Sequence, residues 1–357
     1  MNLRELLFKT RDMLDERTTT TGSPQWEDYQ LRRWLTEAQN DLILRGIEMF
    51  PELLAESTPT ATTNGTADYS LPSDFIKLHG AILGGIPCRV IGRGSSYAER
   101  RDAWSPTFAD PEVELIDSED LRFYPTPDVT VPTWSAFYYR RPQDLHQQVA
   151  VFEDNEAWAV SGAGATIADV TTGLSSEEEA GTEGIQMTVT AGNTGTLAYV
   201  LPAAISMGTD TTDIVELWVA TNQTNLTNIQ IQFHTTAGTA FWTATVLPTA
   251  FAATTAGTFV RVQKSLFTAG AGSPNWASIA EIRLVQVSGG GGSSVVTFDD
   301  WRIYRTPEID SAAHIMLPLY AAAMALANDE GFRGSGDVAN AHALWDARVA
   351  AYFGKAA

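Results

Sequence analysis

The chain has 357 residues, 44% of them hydrophobic and 18% charged, with a formal net charge of −20 at pH 7. Such a balance describes a globular protein of two or three domains and excludes a disordered one. The acidity excludes a surface that grips nucleic acid or an anionic membrane through positive charge, and the single Cys88 excludes an intramolecular disulfide and a multi-thiolate zinc site.

The opening MNLRELLFKTRDML predicts an amphipathic helix with Leu3, Leu6, Leu7 and Leu14 on one side. Charges inside its apolar run set it apart from a signal peptide, and no apolar run is expected to cross a bilayer. After the Thr18–Gly22 loop, Ser23 stands where an N-cap belongs, with Pro24 at the first helical position and Glu27 and Asp28 in the first turn. Leu31, Leu35, Ala38, Leu42, Gly46 and Met49 form a helical stripe that ends at Pro51. The opposite face carries Arg32, Arg33, Glu37, Gln39 and Arg45, either a solvated face or a surface for a neighbouring subunit.

Strand signals follow. Lys77–Leu83 and Ile86–Ile91 flank Gly84-Gly85, which is hairpin chemistry, and Glu112–Ile116, Leu121–Tyr124 and Thr133–Tyr139 continue the pattern between prolines. They predict a small antiparallel sheet covered by helices on at least one side. Cys88 is expected to be a small buried hydrophobe in a strand, in a chain made in a reducing cytosol. From Val151 to Ile303 short apolar runs alternate with Gly, Thr and Asn turns, the pattern of a β-sandwich. Helical periodicity returns from Pro307 to Phe353.

The expected fold is therefore α+β: a helical bundle with a small antiparallel sheet, interrupted by an inserted all-β, jelly-roll-like sandwich. Residues 1–148 and 304–357 would form the discontinuous helical domain, and residues 149–303 the insertion.

The order of these pieces carries a resemblance. Tyr69-x-Leu71-Pro72-x-Asp74-Phe75, then Leu121-x-Phe123-Tyr124-Pro125-x-Pro127-Asp128, Tyr138-Tyr139-Arg140-Arg141-Pro142 and the closing Pro307-Glu308 with its Ala-rich helix resemble the tail adaptor, or head-to-tail connector, proteins of tailed bacteriophages. In a plain adaptor Arg141-Pro142 and Pro307-Glu308 lie close in sequence, so the intervening segment is a departure of domain size. Its ends, Phe152-Glu153-Asp154 with Trp158 and Phe298-Asp299-Asp300-Trp301, resemble those of non-catalytic carbohydrate-binding jelly rolls, in which the first and last strands pair and often hold a structural calcium ion.

The adaptor resemblance implies a structural virion protein of the neck, assembled in the host cytoplasm. It implies a dodecameric ring that joins the portal to the tail around a channel through which genomic DNA passes without specific binding. The sandwich would point outward, for tail or fibre attachment or ring stabilisation. Implied partners are the portal protein, a tail nozzle or tail tube protein, tail fibres and further copies of the chain. Tyr352, Phe353 and Lys355, near the C-terminus, are the implied portal contacts, since an exposed aromatic pair suits a neighbour's pocket.

Two further constellations stay open. Glu153, Asp154, Asp299 and Asp300 are either solvated turn residues or carboxylates around a structural calcium in the inserted domain. Gln230, Gln232, His234, Arg261 and Gln263 are either the wet side of strands or a glycan-reading face with Trp218 or Trp242 as a stacking platform. That face underlies the alternative reading, a carbohydrate-binding surface or host-attachment protein. Catalysis is not expected and no cofactor is required. Gly92-Arg93-Gly94 lacks a third glycine, Gly289–Gly292 has no lysine behind it, Glu177-Glu178-Glu179 has no pocket, and His79, His146, His234, His314 and His342 are scattered.

Overall fold

Taken over the whole chain, strand outweighs helix: the computed structural model is 44% strand and 25% helical. This corrects the expectation of a helical bundle carrying a small sheet. The structure describes residues 1–14, 26–91, 109–117, 119–128, 133–153, 156–175, 181–208, 210–222, 224–235, 239–250, 254–328 and 336–356. Ser23, Pro24, the 92–94 glycine pair and Glu177–Glu179 lie outside them. By contact the chain separates into two compact units. The first comprises Met1–Thr36, Asp144–Pro307 and Ile315–Ala343; the second comprises Glu37–Gln143, Glu308–His314 and Leu344–Ala357. These boundaries differ from the expected 148/149 and 303/304.

In the second unit the strands are β1 (Leu54–Glu56), β2 (Thr60–Ala61), β3 (Asp68–Ser70), β4 (Phe75–Leu83), β5 (Ile86–Ile91), β6 (Glu112–Leu115), β7 (Asp120–Tyr124) and β8 (Thr133–Arg140). They form one eight-stranded sheet in the order β1-β8-β4-β5-β6-β7-β3, with β2 also on β8. The β5–β6 pair is parallel, so the sheet is neither small nor wholly antiparallel. The expected hairpin is present, and Gly84 and Gly85 both adopt positive φ (58° and 83°), the conformation a two-residue turn demands. Val113, Leu121, Phe123, Trp134 and Ala136 form the apolar side of this sheet. Cys88 is half-buried against that core, and burial pushes its thiol up to about 12.

The first unit holds β9 (His146–Ala150), β10 (Ala159–Ser161), β11 (Ala165–Val170), β12 (Gly184–Val189), β13 (Thr194–Ile205), β14 (Ile214–Thr221), β15 (Leu226–Thr235), β16 (Phe241–Val246), β17 (Thr254–Gln263), β18 (Thr268–Ala271), β19 (Ile279–Ser288) and β20 (Ser294–Tyr304). One sheet runs β10-β13-β19-β15-β16-β18; the other runs β11-β12-β20-β14-β17, with β9 also on β20. Alternate residues of both sheets meet in a single core: Ile229, Ile231 and Phe233 from the first, Val215, Leu217, Val219, Val260 and Val262 from the second. On β20 the alternation slips. Leu217 pairs with Trp301 but Trp218 pairs with Asp299, which leaves Asp300 as an extra residue at φ +43°. This is a β-bulge, and it lets Phe298, Trp301 and Ile303 all enter the core.

Helix α1 (Leu3–Met13) starts at a reciprocal cap, with Glu5 N donating to Asn2 Oδ1 (3.0 Å) and Asn2 N to Glu5 Oε2 (3.2 Å). It buries Leu3, Leu6, Leu7 and Thr10, while Leu14 is only half-buried. Helix α2 (Asp28–Gly46) supplies residues to both units, α3 (Ser311–His314) is a single turn, and α4 (Leu317–Asn328) and α5 (Gly336–Ala356) follow.

The expected solvated face of α2 is divided. Arg33 and Arg45 are exposed, whereas Arg32 and Gln39 are buried (2% and 0% exposed). Arg32 Nη1 donates to Tyr304 Oη (3.0 Å), and Gln39 Nε2 donates to the Gln143 carbonyl (3.2 Å). Helical periodicity cannot tell a long polar side chain in water from one with a buried partner. The stretch Ser311–Asn328 is, by length and hydropathy, apolar enough to cross a membrane, contrary to expectation; half of it is buried, as in a core helix.

Candidate functional site

The chain leaves the second unit after Gln143 and returns to it at Glu308, and both ends are tied. Arg140 Nη1 and Nη2 donate to the two oxygens of Glu308 (2.9 and 3.0 Å), and Gln143 N donates to Glu308 Oε2 (2.8 Å). Gln39 Oε1 accepts from Glu308 N (3.2 Å). Within the first unit, Arg305 N donates to the Leu145 carbonyl (2.8 Å), and β9 pairs with β20 from His146↔Tyr304 to Ala150↔Trp301. A bidentate arginine–carboxylate pair half out of water is a strong and geometrically specific tie. Arg140 and Glu308 belong to the motifs that carry the resemblance, and the fork between them is their structural role.

The outward side of β14, β17 and β20 carries a buried charge cluster. Glu216 is 1% exposed and lies between Arg302 (Nε to Oε2, 3.4 Å) and Arg261, whose Nε donates to Glu216 Oε1. Arg302, with no exposure, also donates to Asp300 Oδ2, and its guanidinium lies 4.5 Å from the Phe259 ring centre. Asp300 Oδ1 accepts from Gln148 Nε2 (2.8 Å). His146 on β9 lies in the same region, and burial, reinforced by Arg32, Arg302 and Arg305, pushes its imidazole down to about 2, so it is neutral at physiological pH. Nothing in the order of the sequence signals this cluster, because Glu216, Arg261 and Arg302 occupy the positions that alternation assigns to water.

Of the four acidic residues expected to surround calcium, the three that the structure describes are engaged otherwise. Asp154 lies outside the described residues. Glu153 Oε1 accepts from the backbone N of Thr182 and of Glu183. Asp299 accepts from Ser175 N (2.8 Å) and Asp300 N (2.8 Å), and Asp300 is held by Gln148, Ser175 and Arg302. Among the described residues no group of three or more His, Cys, Asp or Glu is placed to hold a metal ion. Burial, with Asp300 and Glu153 as further negative neighbours, pushes Asp299 up to about 7. Protein donors already occupy these oxygens, so the arrangement does not fit a calcium shell of six to eight ligands. Chelation followed by calcium addition is therefore expected to leave the melting temperature of the full chain unchanged; a reversible rise with calcium would contradict this geometry.

The expected glycan face does not assemble. Gln230, Gln232 and His234 lie on β15 in the first sheet, Arg261 and Gln263 on β17 in the second. Both sets point away from the shared core, so they occupy opposite outer surfaces of the sandwich. On β15, Gln232 Nε2 donates to Gln230 Oε1 (3.2 Å), Gln232 Oε1 meets His234 Nε2 (3.0 Å), and His234 stacks on Phe241 (4.7 Å between centroids). Trp242 is packed against the core and stacks on Trp276, 5.0 Å away, so it faces inward; Trp218 donates its Nε1 to the Gly173 carbonyl (2.9 Å). On β17 the outward Arg261 and Gln263 are wet, as expected, but on β15 Gln232 and His234 are buried (9% and 1% exposed), so that face is not wet; sequence periodicity says neither this nor which outward faces share a surface.

Tyr352 and Phe353, expected as free anchors at the C-terminus, are packed inside the second unit. Phe50 stacks on Tyr352 (6.3 Å, 13°) and meets Phe353 edge-on (6.2 Å, 74°). The side chain of Lys355 lies outside the described residues. A Cβ added to Gly46 would lie 2.3 Å from the Phe353 ring, so Gly46 is the floor on which that ring rests. Gly46→Ala is expected to cost about 1–3 kcal/mol by overpacking. In a Phe353→Ala background the same change should cost almost nothing. Thermal denaturation of the four proteins checks this, and equal costs in the two backgrounds would sink it.

No curated protein matches the chain. Among solved structures it is similar to the family 11 carbohydrate-binding module of the cellulosomal cellulase Lic26A-Cel5E of Clostridium thermocellum, at 12% identity over 45% of this chain and 95% of that one, with a TM-score of 0.34. It is also similar to the family 30 module of cellulosomal cellulase Cel9D-Cel44B of the same organism, at 11% identity over 44% and 96% of the two chains, with a TM-score of 0.35. A third similarity is to an exo-β-agarase, at 14% identity over 43% of this chain and 24% of that one, with a TM-score of 0.30. Residues 1–164 match the family model described as SU10 adaptor protein, and this stretch is thus similar to a phage-related structural adaptor.

Proposed function

We propose that the protein is a structural, non-enzymatic component of a tailed-phage particle: an adaptor subunit of the ring that joins the portal to the tail. The observation that carries this reading is the adaptor-family match over residues 1–164. That stretch contains α1, α2, the whole eight-stranded sheet and the Arg140 side of the fork to Glu308. The ring is a closed dodecamer of heterologous contacts, each subunit presenting one face to the next. It surrounds the channel for genomic DNA, and the net charge of −20 keeps that DNA from adhering. The two-sheet sandwich serves tail or fibre attachment or ring stabilisation. Because Tyr352 and Phe353 are already stacked on Phe50, the portal contact falls to other surfaces of the subunit.

The test is to mix the purified protein with the portal protein of the phage that encodes it and to measure the mass of the product by light scattering, then image it. A portal-bound ring of twelve copies is expected. A mixture in which the two proteins remain separate overturns the reading, whether or not the isolated protein is monomeric.

A further inference from the structure

Lysine is rarely withdrawn from water, yet the side chain of Lys264 has no exposure and that of Asp213 only 2%. Asp213 directly precedes β14 and Lys264 directly follows β17, beside the pair Ile214↔Gln263. Backbone bonds fix the two against each other: Lys264 N donates to the Asp213 carbonyl (2.8 Å), and Ser265 N to the Thr211 carbonyl (3.0 Å). The Lys264 amine then reaches three acceptors, the carbonyls of Met207 (2.7 Å) and Gly208 (3.0 Å) and Asp213 Oδ2 (3.2 Å). The Trp276 ring lies over it, 5.2 Å from Nζ, and the Trp276 carbonyl accepts from Met207 N (2.9 Å), which ties the ring to the segment that supplies the carbonyls.

A plain ion pair fits this geometry poorly. An ammonium–carboxylate contact is ordinarily about 2.7–2.9 Å and stronger than a bond to a neutral carbonyl. Here the carboxylate contact is the longest of the three. An uncharged amine has two N–H donors and one lone pair; its donors match the two carbonyls, and the lone pair is left for Asp213. Burial pushes the Lys264 amine down and the Asp213 carboxyl up, each toward its uncharged form. On the far side, Asp213 Oδ1 accepts from Thr306 N (2.9 Å), a fixed backbone donor where negative charge would gather if the carboxyl carbon were attacked.

We infer that Lys264 and Asp213 condense to an isopeptide bond. The Lys264 ammonium first passes one proton to Asp213 Oδ2, leaving an amine and a carboxylic acid. Nζ attacks the carboxyl carbon, and the charge that develops on Oδ1 meets Thr306 N. A second Nζ proton goes to Oδ2, the bond from carbon to Oδ2 breaks, and water leaves. The sum converts an ammonium and a carboxylate into an amide and one water, with no oxidant or co-reactant. Well-oriented groups on one chain react at effective molarities of about 10⁵–10⁸ M, far above the concentration of water, so condensation prevails over hydrolysis in a buried site. The product removes two charges from the interior, where each is costly to keep. It also fastens β17, which ends its sheet's strand order, to β14. The bond is independent of the adaptor reading, which the portal experiment tests by itself.

Mass spectrometry of the purified full chain, denatured, tests the inference. A mass one water below that of the sequence is expected. Trypsin should no longer cut after Lys264, and the digest should contain one branched peptide holding both Asp213 and Lys264. Lys264→Arg, which keeps the charge but offers no amine, should show the full mass and two separate peptides. A parent chain of full mass overturns the inference, as does a water loss that the peptide map places elsewhere or that persists in Lys264→Arg. If Lys264→Arg does not fold, the mass and peptide map of the parent decide alone.

Discussion

Glu216→Ala is expected to lower the unfolding free energy by about 3–5 kcal/mol, the usual cost of stranding a buried charge. Glu216 is 1% exposed and serves two arginines, one of which, Arg302, has no exposure at all. Without it Arg302 keeps Asp300 and the Phe259 ring, while its Nε side loses the neutralising oxygen. Water cannot replace that oxygen at a fully buried guanidinium, so one of its carboxylate partners is lost with nothing to take its place. The contrast is Glu281→Ala, which breaks the Arg283–Glu281 pair on the outer face of the other sheet (2.8 Å; side chains 31% and 15% exposed). Solvent screens that pair, and about 1 kcal/mol or less should be lost. Urea denaturation followed by tryptophan fluorescence, to which Trp301 in the sandwich core contributes, compares the two variants. Equal losses would mean that the buried cluster is not balanced as the geometry indicates.

Two buried groups should give the protein opposing pH dependences that hide each other. The His146 imidazole is pushed down to about 2, whereas in the unfolded chain it titrates near the ordinary value of about 6.5. Below that value the unfolded state holds one more proton than the folded state. Stability from this group is therefore complete above pH 6.5 and falls by about 1.4 kcal/mol per pH unit on acidification. Asp299 works the other way: its carboxyl is pushed up to about 7, above its ordinary value of 3.8. The folded state then holds the extra proton between those values, so its contribution rises as the pH falls and is lost as the pH rises through 7. Asp300, also pushed up by burial, acts in the same direction as Asp299.

Between pH 6.5 and about 4 the His146 and Asp299 slopes should largely cancel in the parent protein. Removing one should expose the other. Relative to the parent, His146→Gln should gain stability on acidification and Asp299→Asn should lose it, each by about 1.4 kcal/mol per pH unit. Denaturation curves at several pH values between 4 and 7.5 measure both differences. Two variants whose offsets from the parent stay constant across that window would show that neither group is perturbed in the folded state.

Local order was legible in the chain itself. Gly84-Gly85 demanded a two-residue hairpin, and β4 and β5 end where that turn requires. The alternation of Ile229, Ile231 and Phe233 with Gln230, Gln232 and His234 assigned each side chain of β15 to the core or away from it, because strand geometry leaves no other choice. The Leu3, Leu6 and Leu7 side of α1 followed from helical spacing in the same way. Even Arg140 and Glu308, which the fold joins, stood in motifs recognisable by their order.

The folded chain alone decided everything that depends on which surfaces meet. Periodicity places Gln232 and Arg261 outward on their strands, but only strand order shows that these strands belong to different sheets and hence to opposite sides. It places Arg32 and Gln39 on the polar side of α2, but only a partner far along the chain, Tyr304 or Gln143, makes burial of that side affordable. The Asp300 bulge broke the alternation of β20 in a way no local rule announced, and it set Asp299 and Asp300 among Ser175, Gln148 and Arg302. Tyr352 and Phe353 met Phe50 rather than solvent because Gly46 left a hollow the size of a ring. What a single strand or helix imposes is short-ranged and written in its own residues. Pairing across hundreds of positions depends on which arrangement of whole surfaces buries the most apolar area with every buried charge answered.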